Sequence, residues 1–422
     1  MPKKTSPISA ASAISAPPVT PARLLLRIAV LWLCGADLRL TVLAVPPVLP
    51  LIHRQFALSE HAIGALSGLP PLLFGLAAIP GSLLIARLGA RGAVIAGLVC
   101  VALASAARGI GPSVPMLFAM TFLMAAGIAV VQPALPVLVG EWFARRPGFA
   151  TAVYANGLLV GEALAAALTI PLILPLFGGS WRAAFVFWAV PVAAAALLLV
   201  PCGSSTTHRG SPSGSVRWWP DWRHRETWQL GLMQGGTGGL YFASNAFIPD
   251  YLHAVGQPGL VTLGLAALNI GQLPASLLLL LWARRLGHSK TVLVLMQLLG
   301  LAGIGALLVP QPWTAAAGPA MIGFCSAFTL IVTLALPPQI AAAGDIHRLS
   351  AGMFAIGYSL SCVVPLLGGA LWDATRIPQA AFAVAALSTM LVLAAALSFR
   401  FPAPRDIRPG TAGAPEPPAI AT

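Results

Sequence analysis

Gly35-Ala-Asp-Leu-Arg-Leu-Thr-Val-Leu-Ala-Val-Pro-Pro-Val-Leu-Pro50 lies in the first long apolar run of the chain. It carries Asp37 and Arg39 at its middle and Pro46, Pro47 and Pro50 toward its far end. A charge at the centre of a membrane helix costs about 2.5–3.5 kcal/mol on insertion scales. Two such charges two positions apart need a chemical reason. The reading adopted for this stretch is a membrane helix that turns Arg39 toward a polar path and is bent at its outer end by proline.

The rest of the chain supports a membrane setting. Of its 422 residues 58% are hydrophobic and only 8% charged, against about 25% charged in a typical soluble domain. Apolar runs of roughly twenty residues recur between short polar turns, the pattern of a polytopic helical membrane protein. They do not alternate in polarity, as the strands of a membrane β-barrel would. The net charge of +13 could suggest nucleic acid, but the basic residues sit mostly in alternate loops. All Lys and Arg except Arg39, Arg54, Arg108, Arg182 and Arg376 fall on one side, which predicts both termini cytoplasmic and no nucleic-acid groove. The five cysteines are scattered, with neither metal-ligand spacing nor a disulfide framework.

Twelve spans are predicted, at 24–52, 60–86, 92–110, 113–143, 149–178 and 181–201, then 227–253, 259–283, 290–309, 312–341, 349–373 and 378–400. The corresponding organisation is a tail over 1–23, a six-helix half over 24–201, a cytoplasmic linker over 202–226, a second six-helix half over 227–400 and a tail over 401–422. The linker ends in Arg217-Trp-Trp-Pro-Asp-Trp-Arg223, a basic, tryptophan-rich segment suited to a membrane interface. An internal repeat relates the halves. Ala150-Thr-Ala-Val-Tyr-Ala-Asn-Gly157 reads against Ser350-Ala-Gly-Met-Phe-Ala-Ile-Gly357, and both continue as small-xxx-small, Gly157/Gly161 and Gly357/Ser361. Ala86-Arg-Leu-Gly89 and Ala283-Arg-Arg-Leu-Gly287 close the second and eighth spans alike.

The chain is similar to the major facilitator superfamily and, within it, resembles the cyanate permease and 2-nitroimidazole transporter family. Asp37-Leu-Arg39 with Pro47-Val-Leu-Pro50 resembles that family's Asn-x-Arg-Pro…Gly-Pro-Leu-Leu-Pro opening. Arg108 closes the third span where the family has an arginine. Gly127-Ile-Ala-Val-Val-Gln132-Pro-Ala-Leu-Pro136, the Gly-rich seventh span and Leu268-Asn-Ile-Gly-Gln272 resemble later helices. The resemblance implies an all-α polytopic membrane fold, twelve transmembrane helices in two six-helix halves, and alternating-access transport. The chain departs from the family at Asp37, which replaces Asn, and at Leu40, which replaces Pro. The superfamily's loop motif Gly-x-x-x-Asp-Arg-x-Gly-x-Arg reads Ser82-Leu-Leu-Ile-Ala86-Arg87-Leu-Gly89-Ala-Arg91, so Arg87, Gly89 and Arg91 mark the gating loop without its acidic residue.

Helical spacing orders the polar residues. Gln234, Gly238, Tyr241 and Asn245 follow i, i+4, i+7, i+11 and fall within about 60° of arc, a stripe facing a water-filled cavity. Placing Pro249 on Pro47 sets Tyr241 opposite Arg39 and turns Asp37 toward a neighbouring helix. Arg39 is permanently charged and offers a fixed fork of donors for an anion or planar polar group. Asp37 and Glu162 are candidate proton carriers, or else partners that neutralise Arg39 or bond backbone. Gln132, Tyr154, Asn156, Asn269, Gln272 and Tyr358 complete the expected solute-binding set, with Thr329 and Thr333 as further candidates; interhelical bonding is the alternative for each. Arg108, His53, His61 and His253 are expected near the outer surface, in solvent.

The expectation is a secondary transporter for a small polar solute, anionic or heteroaromatic, such as cyanate or a nitroimidazole-like compound. A proton-coupled efflux pump for drugs or metabolites is the alternative, and a non-transporting sensor or intramembrane enzyme a distant one. No Walker-type phosphate loop, metal cluster or catalytic motif occurs, so no enzyme, cofactor or metal is expected. The expected setting is the bacterial cytoplasmic (inner) membrane, with the lipid bilayer, the solute and protons as partners of a monomer.

Overall fold

The computed structural model describes residues 21–56, 69–111, 113–202, 218–287, 289–309, 311–342 and 344–401. The helices in chain order are α1 (Pro21–Leu43), α2 (Val45–Phe56), α3 (Ala78–Ile110), α4 (Val114–Trp142), α5 (Pro147–Leu168) and α6 (Trp181–Leu199). After the linker come α7 (Arg225–Ala254), α8 (Val261–Ile270), α9 (Gln272–Leu286), α10 (Lys290–Leu307), α11 (Pro312–Ala335), α12 (Ile346–Thr375) and α13 (Ala380–Ser398). Among the described residues eight helices are long and apolar enough to cross a membrane, and the bent pair Pro147–Ala165 and Thr169–Leu176 makes a ninth. The first and seventh expected spans fall outside that count, the first because Arg27, Asp37 and Arg39 lie close together in it and the seventh because of its many polar and glycine residues. The second begins among residues outside the described set and continues as helix over 69–76 into α3.

Local chemistry sets the breaks. The first span divides at Ala44 because Pro46 and Pro47 have no N–H to return to Val42 and Leu43. Gly89 takes φ 73°, ψ 165° inside α3 and turns the chain from the second span into the third. Arg91 then donates from Nε to Leu199 O at 3.0 Å and from Nη2 to Val200 O, capping the carbonyl end of α6.

The repeat read from the sequence recurs in the packing. A Cβ on Gly157 would meet Trp32 O at 2.1 Å, and one on Gly161 would meet Ala36 O at 2.4 Å, so α5 lies backbone to backbone on α1. In the second half Gly357 of α12 lies against the Gln234 side chain of α7, and a Cβ on Gly235 would meet Gly357 O at 2.8 Å. The two halves meet on the linker side, where Gly140 of α4 sits against Pro338 and Ile346. Nearer the middle, Gly75 lies against Tyr358. On the opposite side α2 packs on α1, α6 and the turn Thr169–Ile173, all within its own half.

The end of the linker crosses this seam as a strap. Ser82 Oγ, from the first half, donates to Trp218 O at 2.7 Å, and Arg348 Nε, from the second, donates to Trp219 O at 2.8 Å. Arg348 is in turn bonded to Asp345 at 2.5 Å and lies 3.9 Å from Asp221.

Candidate functional site

A cavity lies between the halves, and its polar wall is drawn from α1, α4, α5, α7, α9, α11 and α12. Seven of the ten expected solute-binding residues line it: Arg39, Gln132, Tyr154, Gln234, Tyr241, Gln272 and Tyr358, with Glu162 and Gly238 beside them. Three of the chain's four tyrosines are in this wall.

On the first-half side, Arg39 stands with its guanidinium 5.6 Å from the Phe74 ring centroid, a cation–π contact. The Tyr358 phenol lies beside it, and Gln132 Nε2 donates to the Tyr358 hydroxyl at 2.9 Å. Tyr358 is held from both faces, edge-on to Phe74 at 5.3 Å and stacked on Phe354 at 6.0 Å. Gln132 precedes Pro133 and Pro136, and its Oε1 has no hydrogen-bond partner.

Across the cavity the Tyr241 hydroxyl reaches Glu162 Oε1 at 3.0 Å and Asn269 Oδ1 at 2.6 Å, and its single proton serves one at a time. Asn269 Nδ2 donates to Asn245 Oδ1 at 3.2 Å and to Leu265 O at 2.9 Å. Asn245 and Asn269 thus stand behind the wall and orient Tyr241. Asn156 is also off the cavity: it accepts from Trp32 Nε1 and donates to Ser276 Oγ, each at 3.0 Å, tying α5 to α9. Thr329 and Thr333 are buried, one accepting from Gln297 and the other bonding back to Thr329 O.

Four charged side chains lie at depth in the first half, and none enters an ion pair. Among the described residues every pair within 4 Å lies at the linker and the start of α12. Asp37 is fully buried away from the cavity, as its arc on α1 predicts, yet neither carboxyl oxygen has a partner. It neutralises neither Arg39 nor a backbone group. Arg108 is a correction: far from solvent, it is 1% exposed. Its Nη2 donates to Thr41 O at 2.9 Å and to Ser105 Oγ at 3.2 Å, and its guanidinium lies 4.6 Å from the Phe185 ring centroid. The third span ends there, but α1 and α6 fold over it. His253 is exposed, the His53 side chain and all of His61 lie outside the described residues, Arg87 is exposed and Arg91 caps α6.

Sequence reasoning passed over Thr237, Ser326 and Ser361, which join the wall. Thr237 was legible as i+3 from Gln234; the two serines carry no signal that separates them from hydroxyls bonding their own helix. The five cysteines are free, and no group of three metal-ligating side chains occurs among the described residues.

Comparison with known proteins agrees with this architecture. A family model described as Major Facilitator Superfamily matches residues 31–239. The uncharacterized transporter YycB of Bacillus subtilis (strain 168) is 26% identical over 350 residues, spanning 81% of this chain and 85% of its own. The cyanate transport protein CynX of Escherichia coli (strain K12) is 25% identical over 353 residues, spanning 81% and 88%. Among solved structures, FucP in the outward conformation superposes with a TM-score of 0.68 at 18% identity, over 89% of this chain and 99% of that one. The proton:xylose symporter XylE bound to 6-bromo-6-deoxy-D-glucose gives 0.70 at 14% identity, over 89% and 95%.

Proposed function

Because a Major Facilitator Superfamily model matches residues 31–239 and a cyanate transport protein is similar over most of the chain, we propose that this is a major facilitator protein, a secondary active transporter that carries a small polar solute through the cavity around Arg39. Rocking of the two six-helix halves would expose that cavity to each side of the membrane in turn. One observation carries the assignment of the site. Arg39 is a permanent cation lining the cavity between the halves, beside the Tyr358 phenol and, among the described residues, without a carboxylate within 4 Å; its Nε has no hydrogen-bond partner, which suits an anionic or strongly accepting group. Similarity to a cyanate transport protein supports the same chemistry, and cyanate or a nitroimidazole-like heteroaromatic is the solute class it suggests. The basic residues of the loops support both termini being cytoplasmic, the bacterial relatives fit a bacterial inner membrane, and a monomer completes the reading.

The test is uptake of labelled candidate solutes into proteoliposomes by wild type and Arg39→Lys. A lysine keeps the charge and loses the planar fork, so transport should fall while folding and reconstitution stay normal. Transport at the parental rate would remove Arg39 from the site.

A second reading adds protons as the coupling ion, and the Asp37 carboxyl favours it. A carboxyl buried there with both oxygens unpartnered is held at least cost as the neutral acid. Glu162, within reach of the Tyr241 hydroxyl, is the other carrier. An imposed pH gradient should then drive solute in one direction, as symport or as efflux, and flux indifferent to that gradient would end the reading.

A further inference from the structure

The cavity has two electrical poles rather than one. Arg39 on α1 and Glu162 on α5 both line it and come from the same half, yet they do not pair. Each is met instead by a neutral hydroxyl from the other half, Tyr358 beside Arg39 and Tyr241 at 3.0 Å from Glu162 Oε1. Gly157 and Gly161 hold α5 against the backbone of α1, so both charges project from one closely packed helix pair, within electrostatic reach of each other but without a contact inside 4 Å among the described residues. The remaining intramembrane charges, Asp37 and Arg108, point away from the cavity and leave its balance at one positive and one negative group.

From this we propose that the solute is zwitterionic: an anionic group for Arg39 and an ammonium or similar cation for Glu162, on one small frame. This rests on the reading of the cavity as the solute site and puts a zwitterion in place of a simple anion such as cyanate. A simple anion would satisfy Arg39 and leave Glu162 facing a like charge; a simple cation would do the reverse. A zwitterion recovers both charge-assisted interactions at once and enters with no net charge.

Purified full-length protein tests this with matched probes: β-alanine, 4-aminobutyrate and 6-aminohexanoate, the corresponding carboxylic acids, the corresponding amines, and cyanate. Binding is read by calorimetry and by the rise in melting temperature. At least one amino acid should bind roughly tenfold more tightly than both its acid and its amine. Glu162→Gln should bring that amino acid level with its acid, and Glu162→Asp should restore the preference. The proposal is overturned if an acid or cyanate binds wild type as tightly as the matched amino acids, or if Glu162→Gln leaves the preference intact. The wild-type panel needs no variant to decide. Should the acids bind in a manner that Arg39→Gln abolishes, the zwitterion falls and the Arg39 site stands. Should no probe depend on Arg39, both fall.

Discussion

Arg39 and Arg108 are two buried arginines of one half, and their surroundings make them different objects. Each lies over a phenylalanine, Phe74 at 5.6 Å and Phe185 at 4.6 Å, and neither has a carboxylate within ion-pairing distance. Arg108 bonds a backbone carbonyl of α1 and a serine one turn away through Nη2 alone, and its unpartnered Nε and Nη1 are buried off the cavity wall. Arg39 faces an open volume with a tyrosine at its side. The comparison teaches that a buried charge inside a membrane protein is not a site by itself. The space in front of its donors decides.

The largest effect that would break this contrast is on transport. Arg39→Gln should lower solute uptake about a hundredfold, since a charge-assisted contact is lost, with the melting temperature nearly unchanged. A stable protein with normal uptake would make Arg39 structural. The converse change is Arg108→Ala, which leaves the Thr41 carbonyl without its donor and opens a void beside Phe185. It should cost about 2–4 kcal/mol of stability, read by thermal or chemical denaturation in detergent, while uptake per folded molecule is kept. Tyr358→Phe should raise the KM for solute several-fold, about 1 kcal/mol, because the hydroxyl that accepts from Gln132 is gone. Smallest is the ring pair: Phe74→Leu should weaken solute affinity and Phe185→Leu only stability, each by about 0.5–1 kcal/mol. Identical behaviour of the two leucine variants would erase the distinction.

Much of this was legible in one dimension. The helical arc of α7 brought Gln234, Gly238 and Tyr241 to one wall, and the arc of α1 separated Arg39 from Asp37 correctly. Asn245, the last member of the α7 stripe, turned to Asn269 because a second amide was in reach, a fact of the fold and not of spacing. Arg108 was misread for the same reason. Its place at the end of a span suggests water, while Thr41 and Phe185, which enclose it, come from other helices. Hydroxyls were the hardest to read. Ser326 and Thr333 lie in one apolar helix, and only the fold reveals that one joins the wall and the other bonds its own backbone.

The strap at the end of the linker bears on how the halves keep their alignment. Its two anchors, Ser82 and Arg348, hold consecutive peptide carbonyls, those of Trp218 and Trp219. Adjacent residues are about 3.8 Å apart along the backbone, so the strap acts as a vernier: a relative slide of the halves by one such step releases one anchor or the other. Because both grips are on the main chain, exchanging either tryptophan alters a ring and leaves the alignment readable. Adding a single residue between Trp218 and Pro220 shifts the scale itself. The usual acidic clasp of the gating loop is absent at Ala86, and here registration of the two halves depends on chain length in the strap together with the two side chains, Ser82 and Arg348, that grip it.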